Sequence, residues 1–299
     1  MVLALEAVNL VKVYPGNVRA LDGLNAEVPL GSLYCLAGPN GAGKTTFVRI
    51  ASTVSRPTSG SVSIFGYDVV EDAWRVRKYI AVMPQEGRPF NSTLTVFESV
   101  YYYLVSRGFS LGEARREALR VLEELDLMEY RDKLIMTLSG GLRRRVLLAM
   151  VLAAGTDIVF LDEPTVGLDP VARRSTWGYI RRLSREGQTV IFTTHMLSEA
   201  EAVADRILLI NGGKRLFEGT PTEAMSKLGY RYKVVTNIGH LEEFNFSSKA
   251  RVYGDLTYFY VEDLEAALKI AEEILYEGGQ AQIKPVDLED FFAEVTDVG

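Results

Sequence analysis

The sequence predicts an α/β fold. It has a mostly parallel sheet around a phosphate-binding loop, an antiparallel β subdomain beside it, an inserted helical subdomain and a small C-terminal α+β domain. Three observations carry this. Gly38-Pro39-Asn40-Gly41-Ala42-Gly43-Lys44-Thr45 matches the phosphate-loop pattern, after an apolar run at Leu33–Ala37 and before helix-forming Thr45–Ile50. Ile158–Leu161, Val190–Thr193 and Ile207–Ile210 are almost continuously apolar, as parallel strands covered on both faces are. Residues 4–14, 24–28 and 61–65 instead alternate apolar and polar, as half-buried strands do.

Along the chain, the alternating segments form the antiparallel sheet flanking the loop. From about residue 88 the character turns helical. Glu113–Leu125 puts Ala114, Ala118, Val121, Leu122 and Leu125 on one face, and Leu142–Ala153 follows as a second helical pattern. The helical subdomain therefore spans about residues 88–155. The apolar strands resume at Ile158, separated by helical patterns such as Ser198–Ala204. The first domain runs over residues 1–225, with a helix near Thr222–Leu228 at its end. Residues 229–299 form the second domain. Tyr230–Thr236 and Arg251–Val261 read as strands, the latter broken at Gly254-Asp255, and Asp263–Tyr276 as an amphipathic helix ended by Gly278-Gly279. Gln280–Val286 reads as a strand and Asp287–Val295 as a helix. The alternation is roughly ferredoxin-like.

Composition bounds the function. The 299 residues are 47% hydrophobic, enough for one large domain or two smaller ones. A net charge of −6 argues against a general nucleic-acid surface. The single cysteine, Cys35, lies within an apolar strand, reads as a small packed hydrophobe and suits a reducing compartment. No signal-peptide pattern opens the chain, and the longest apolar run, Val146–Gly155, is shorter than the ~20 residues a bilayer needs. The chain is expected to be soluble by itself, with any membrane role supplied through a partner.

Two constellations carry chemistry. In the phosphate loop, glycines let backbone N–H groups turn onto a polyphosphate, and the following helix N-terminus adds its positive dipole end. Lys44 can reach β- and γ-phosphates, and the Thr45 hydroxyl can ligate Mg²⁺. The second is Ile158-Val159-Phe160-Leu161-Asp162-Glu163, an apolar strand delivering two acids to the ligand-binding edge of a parallel sheet. Asp162 suits Mg²⁺ held through water, and Glu163 suits a general base.

Further motifs follow in order: Tyr14 before Pro15-Gly16, Met83-Pro84-Gln85, Leu138-Ser139-Gly140-Gly141, Gly167-Leu168-Asp169-Pro170 and Thr193-Thr194-His195. Over roughly residues 3–225 the chain resembles the ATP-binding subunits of ABC transporters. The resemblance implies an ATPase using ATP and Mg²⁺. Tyr14, Gly38, Asn40, Gly41, Ala42, Gly43, Lys44, Thr45 and Thr46 would contact the nucleotide. Ser139, Gly140, Gly141 and Asp169 would act across an ATP-dependent head-to-tail dimer, with either an identical or a different subunit. Glu163, His195, Lys44 and Gln85 would be catalytic, and Thr45, Gln85 and Asp162 would serve the metal. It also implies an integral-membrane partner subunit and a place on the cytoplasmic face of the membrane. No nucleic-acid partner is expected.

Each residue also has a plainer reading. Tyr14 can be an ordinary packed tyrosine, Ser139 only a helix N-cap, and Arg143-Arg144-Arg145 a solvated helix face. The signature usually continues with Gln where this chain has Leu142, which removes a side-chain hydrogen-bonding group. The Gly-Gly-apolar-Arg-Arg form and the C-terminal Val286–Phe292 segment resemble the branch serving ABC-2-type drug, antibiotic and lipid exporters. Phe90, Leu94 and Tyr101–Tyr103 are candidates for a groove facing the membrane subunit, or for core. An importer ATPase with a regulatory C-terminal domain remains open. A non-transport ABC ATPase is disfavoured by the single ATP-binding domain and the lack of long heptads.

Overall fold

A computed structural model describes residues 2–85, 93–237 and 249–297. The chain parts into two compact units, residues 1–218 and 219–299.

In the first unit, β1 (Leu3–Tyr14), β2 (Val18–Pro29), β4 (Ser59–Ile64) and β5 (Tyr67–Asp68) form an antiparallel sheet in the order β2-β1-β4-β5. Its inner face carries Leu5, Leu10, Leu21, Val62 and Ile64. These pack with Tyr34, Leu36, Phe47, Ile50, Phe160 and Ile191 in one core. Phe47 is fully buried there, so truncating it to Ala would cost about 3–5 kcal/mol.

The second sheet contains β3 (Leu33–Ala37), β6 (Ile80–Met83), β7 (Ile158–Asp162), β8 (Thr189–Thr194), β9 (Arg206–Asn211) and β10 (Lys214–Gly219), in the order β10-β9-β3-β8-β7-β6. Strands β3, β7 and β8 are buried at every position, which is why their sequences are apolar runs rather than alternations. The pairing of β9, β3, β8, β7 and β6 is parallel. The register sets Ala37 beside Thr194 and Asp162 beside Thr193. Met83 lies beside Leu161. The segments after β3, β6, β7 and β8 therefore leave one edge of the sheet together.

Helices α1 (Lys44–Ala51), α2 (Ala73–Tyr79), α6 (Pro170–Arg185) and α7 (Leu197–Val203) complete the core. The helical segment consists of α3 (Val96–Ser106), α4 (Leu111–Glu124) and α5 (Gly140–Leu152). Helices α3 and α4 each start with a reciprocal capping box, Thr95 with Glu98 and Ser110 with Glu113. The apolar face of α4 is buried at Ala114, Ala118, Val121 and Leu122, as its spacing predicts. The sequence reading missed β6, β10 and α2.

In the second unit, α8 (Pro221–Ser226) precedes β11 (Tyr232–Thr236), β12 (Lys249–Tyr253), β13 (Leu256–Val261), α9 (Leu264–Tyr276), β14 (Ala281–Pro285) and α10 (Leu288–Asp297). The antiparallel sheet has the order β12-β13-β11-β14. That order, antiparallel throughout and with α9 between β13 and β14, accords with a ferredoxin-like alternation, and residues 238–248, between β11 and β12, lie outside the described residues. The turn at Gly254-Asp255 makes β12 and β13 a hairpin. Neighbours on β11 face opposite sides. Val234 packs with Phe259, Ala267, Ile270 and Ile274 beneath α9. Lys233 meets Asp287 at 2.6 Å and Asp290 at 2.7 Å at the start of α10. Asp290 also accepts from the Tyr260 hydroxyl at 2.9 Å.

Candidate functional site

The phosphate loop is shaped by two close approaches. Gly38 has φ 154°, and a Cβ there would lie 2.1 Å from the Ile210 carbonyl oxygen. Gly43 has φ 108°, and its Cβ would lie 2.5 Å from the Ala20 carbonyl oxygen. Side chains fit neither position. Gly43 is also the N-cap of α1 and leaves the first turn without a side-chain cap. The N–H groups of that turn thus face the loop as donors for an anion. Asn40 and Gly41 are exposed, Ala42 is buried, and Thr45 and Thr46 are half-buried.

Lys44 is buried at 6% exposure and donates to the carbonyls of Gly38 at 2.7 Å and Pro39 at 2.9 Å. Burial lowers its pKa, opposed by the carboxylates of Glu163 and Asp162. Tyr14 is half-buried at the end of β1, its hydroxyl 3.5 Å from Thr46 Oγ1, with Lys12 Nζ 5.1 Å from its ring centre.

Asp162 and Glu163 lie at the end of β7, at 2% and 8% exposure. Thr193 joins them to β8: its hydroxyl donates to Asp162 Oδ1 and accepts the Glu163 N–H at 3.0 Å. Glu163 has φ 52°, the left-handed region, which costs a residue with a side chain about 1–3 kcal/mol. Its carboxylate lies between two neighbours. Oε1 is 2.9 Å from His195 Nδ1, and Oε2 accepts from Gln85 Nε2 at 3.1 Å. The loop lysine, both acids, Gln85 and His195 thus gather at one sheet edge.

The arginine run is not a solvated face. Arg144 donates from Nη1 to the Gln85 carbonyl at 2.9 Å, and from Nη2 to the carbonyls of Asp162 at 2.9 Å and Glu163. Arg145 donates to the Leu125 carbonyl. Only Arg143 of the three is exposed. The sequence reading also missed Thr193 and Glu199. Glu199, at 8% exposure, accepts from Thr165 Oγ1 at 2.6 Å, Trp177 Nε1 at 2.8 Å and Thr194 Oγ1 at 3.0 Å. It joins the segments that follow β7 and β8 to α6. The only signal in the sequence was the pair of hydroxyls before His195.

Ser139 caps α5, accepting the Leu142 N–H at 3.3 Å, and Ser139 and Gly140 are exposed. Gly141 is half-buried, and a Cβ there would sit 3.0 Å from the Gly167 carbonyl oxygen. Asp169 caps α6, accepting from Val171 and Ala172 at 2.9 Å, and these bonds hold its carboxyl below the usual range. Among the described residues, no hydrogen bond joins Ser139 or Asp169 to the loop Gly38–Thr46 of the same chain. Of the groove candidates, Phe90 lies outside the described residues. Leu94 is half-buried, Tyr101 stacks on Phe97 at 5.7 Å, and Tyr102 is 52% exposed.

Thr45 hydroxyl, Asp162 carboxylate and the Gln85 amide offer oxygen donors only. Such a set suits a hard cation that keeps several waters, as Mg²⁺ does.

Residues 21–166 match the family model described as ABC transporter. The daunorubicin/doxorubicin resistance ATP-binding protein DrrA of Streptomyces peucetius is 42% identical over 226 residues, covering 76% of this chain and 68% of that protein. The Nod factor export ATP-binding protein I of Burkholderia orbicola is 33% identical over 297 residues, covering 96% of this chain and 95% of that one. Among solved structures, a dimeric ATP-binding cassette in a post-hydrolysis state, bound to ADP and Pi, superposes with a TM-score of 0.66 at 27% identity. It covers 72% of this chain and 98% of its own. The chain belongs to the ATP-binding subunits of ABC transporters, and it is an ATPase.

Proposed function

We propose that the chain powers an exporter, binding and hydrolysing ATP beside a separate membrane subunit. The observation that carries the mechanism is the Glu163 carboxylate, aimed from a buried strand end and bracketed by Gln85 and His195. Glu163 accepts the proton of the attacking water as that oxygen bonds to the γ-phosphorus. The bond to the bridging oxygen breaks in line, and ADP leaves. Lys44 and the α1 N-terminus hold the phosphates and stabilise charge on them. Tyr14 offers its ring face to the adenine. Thr45, Asp162 and Gln85 would hold Mg²⁺, which when bound neutralises charge on the β- and γ-oxygens. His195 orients Glu163 through their shared hydrogen bond.

The Ser139–Gly141 cap at α5, exposed at Ser139 and Gly140, is a second anion site, used across a head-to-tail dimer with Asp169 at the same interface. The dimeric state of the similar cassette supports this. Export is supported by similarity to the Nod factor export ATP-binding protein, and the drug-resistance role of DrrA accords with it. Phe97, Tyr101 and Tyr102 on α3 form an aromatic surface suited to a membrane subunit. No helix among the described residues is long and apolar enough to cross a membrane, so the transport path belongs to that partner. The working location is the cytoplasmic face of the membrane.

The test is affinity capture from detergent-solubilised source membranes, using tagged Glu163→Gln with ATP and Mg²⁺. A polytopic membrane protein should co-purify. Recovery of soluble proteins or ribosomes alone would overturn the transporter reading.

A further inference from the structure

The hydrogen bonds of the Arg144 guanidinium, all from Nη1 and Nη2, go to backbone, and its buried Nε makes none. Among the described residues it pairs with no carboxylate. Its planar fork instead reaches three carbonyls, those of Gln85, Asp162 and Glu163. Gln85 follows β6 and Asp162 ends β7, so the fork ties these two strand ends together. The third carbonyl belongs to a residue with φ 52°, a conformation that persists only when its surroundings over-determine it. Thr193 fixes the N–H side of Glu163, and Arg144 fixes its C=O side. Arg145, the next residue, reaches away to the Leu125 carbonyl at the end of α4. Helix α5 thus carries the Ser139–Gly141 cap at its tip, a grip on the catalytic strands and a grip on the helical segment.

We infer that Arg144 is a positioning residue that makes the geometry of Glu163 and Gln85 depend on the placement of α5. This rests on the reading of Glu163 as the base. Displacing α5 withdraws the guanidinium, frees the Glu163 peptide to leave the left-handed region and turns its carboxylate off line. Hydrolysis is then favoured only while the signature segment is seated.

Arg144→Met keeps the length of the side chain and removes its donors. Arg144→Lys restores charge and part of the bonding. For Arg144→Met, kcat should fall about 10- to 100-fold, as a small misplacement of a reacting group does, with KM and ATP affinity near those of the parent. Arg144→Lys should recover part of the loss, and thermal midpoints should stay near the parent's. Parental kcat in Arg144→Met overturns the inference. So does a parallel loss of affinity, thermal midpoint and rate in both variants. Glu163→Gln, assayed alongside, separates the two readings. Near-normal turnover there removes the base assignment, whereas an inactive Glu163→Gln beside a fully active Arg144→Met removes only the role of the arginine.

Discussion

Glu163 and His195 share a 2.9 Å hydrogen bond across adjacent parallel strands, through Oε1 and Nδ1. The other oxygen of the same carboxylate is taken by Gln85. This arrangement leaves one group for proton transfer and two that aim it. Glu163→Gln should therefore keep ATP affinity while phosphate release falls about 10²- to 10⁴-fold, the range a general base supplies. Steady-state phosphate release and equilibrium nucleotide binding check it together, and a variant turning over normally would contradict it.

Thr193 serves both acids with one buried hydroxyl. Thr193→Val keeps the shape and strands the Glu163 N–H and Asp162 Oδ1. The expected cost is about 1–3 kcal/mol, read from urea unfolding, with a loss of turnover. Thr193→Ser should retain both properties. Equal stability of the Val and Ser variants would refute the link.

Lys44 presents a buried ammonium to the loop. A charged hydrogen bond is worth about 1.5–3 kcal/mol, so Lys44→Ala should weaken ATP binding about 10- to 100-fold. Calorimetric titration reads this directly. Undiminished affinity would remove Lys44 from the phosphate site.

In the C-terminal unit, burial works against the Lys233 ammonium, yet its bonds to Asp287 and Asp290 outweigh burial and raise its pKa. Burial likewise opposes the Asp287 carboxylate, and the Lys233 bond more than reverses it, lowering its pKa. The signs set the window. The lowered Asp287 contributes stability above its unfolded pKa, near 3.9, and loses it as pH falls through the folded value. The raised Lys233 contributes below its unfolded pKa, near 10.4, and loses it as pH rises through the folded value. The protection of the α10 amides, relative to intrinsic exchange at each pH, should thus be greatest between these limits and fall below about pH 4. Lys233→Met strands the buried Asp290 and should destabilise this unit by about 3–5 kcal/mol. Protection in α10 that ignores both pH and the substitution would show that the cluster does not hold the helix.

The strands were legible where burial is symmetric. β3, β7 and β8 are apolar on both faces, and β1 alternates because one face is bare. The phosphate loop was legible because Gly38 and Gly43 answer to close backbone contacts that no other residue tolerates. β6 was not, being a four-residue strand between a charged helix and Pro84. Arg144 was misread because α5 is buried on all sides from Val146 onward, so no polar stripe marks which arginine turns inward. The left-handed backbone of Glu163 leaves no trace in composition, since only its neighbours impose it.

Cys35 sits in the strand that ends at the phosphate loop, between β8 and β9, and burial pushes its thiol well above the ordinary range. It is the chain's only thiol. An alkylating reagent can reach it only when the central sheet opens, so its labelling acts as a clock for unfolding at the heart of the nucleotide site. Nucleotide that binds the closed sheet alone must slow that clock in proportion to its saturation. The native chain therefore carries a built-in gauge of ATP occupancy that needs no turnover.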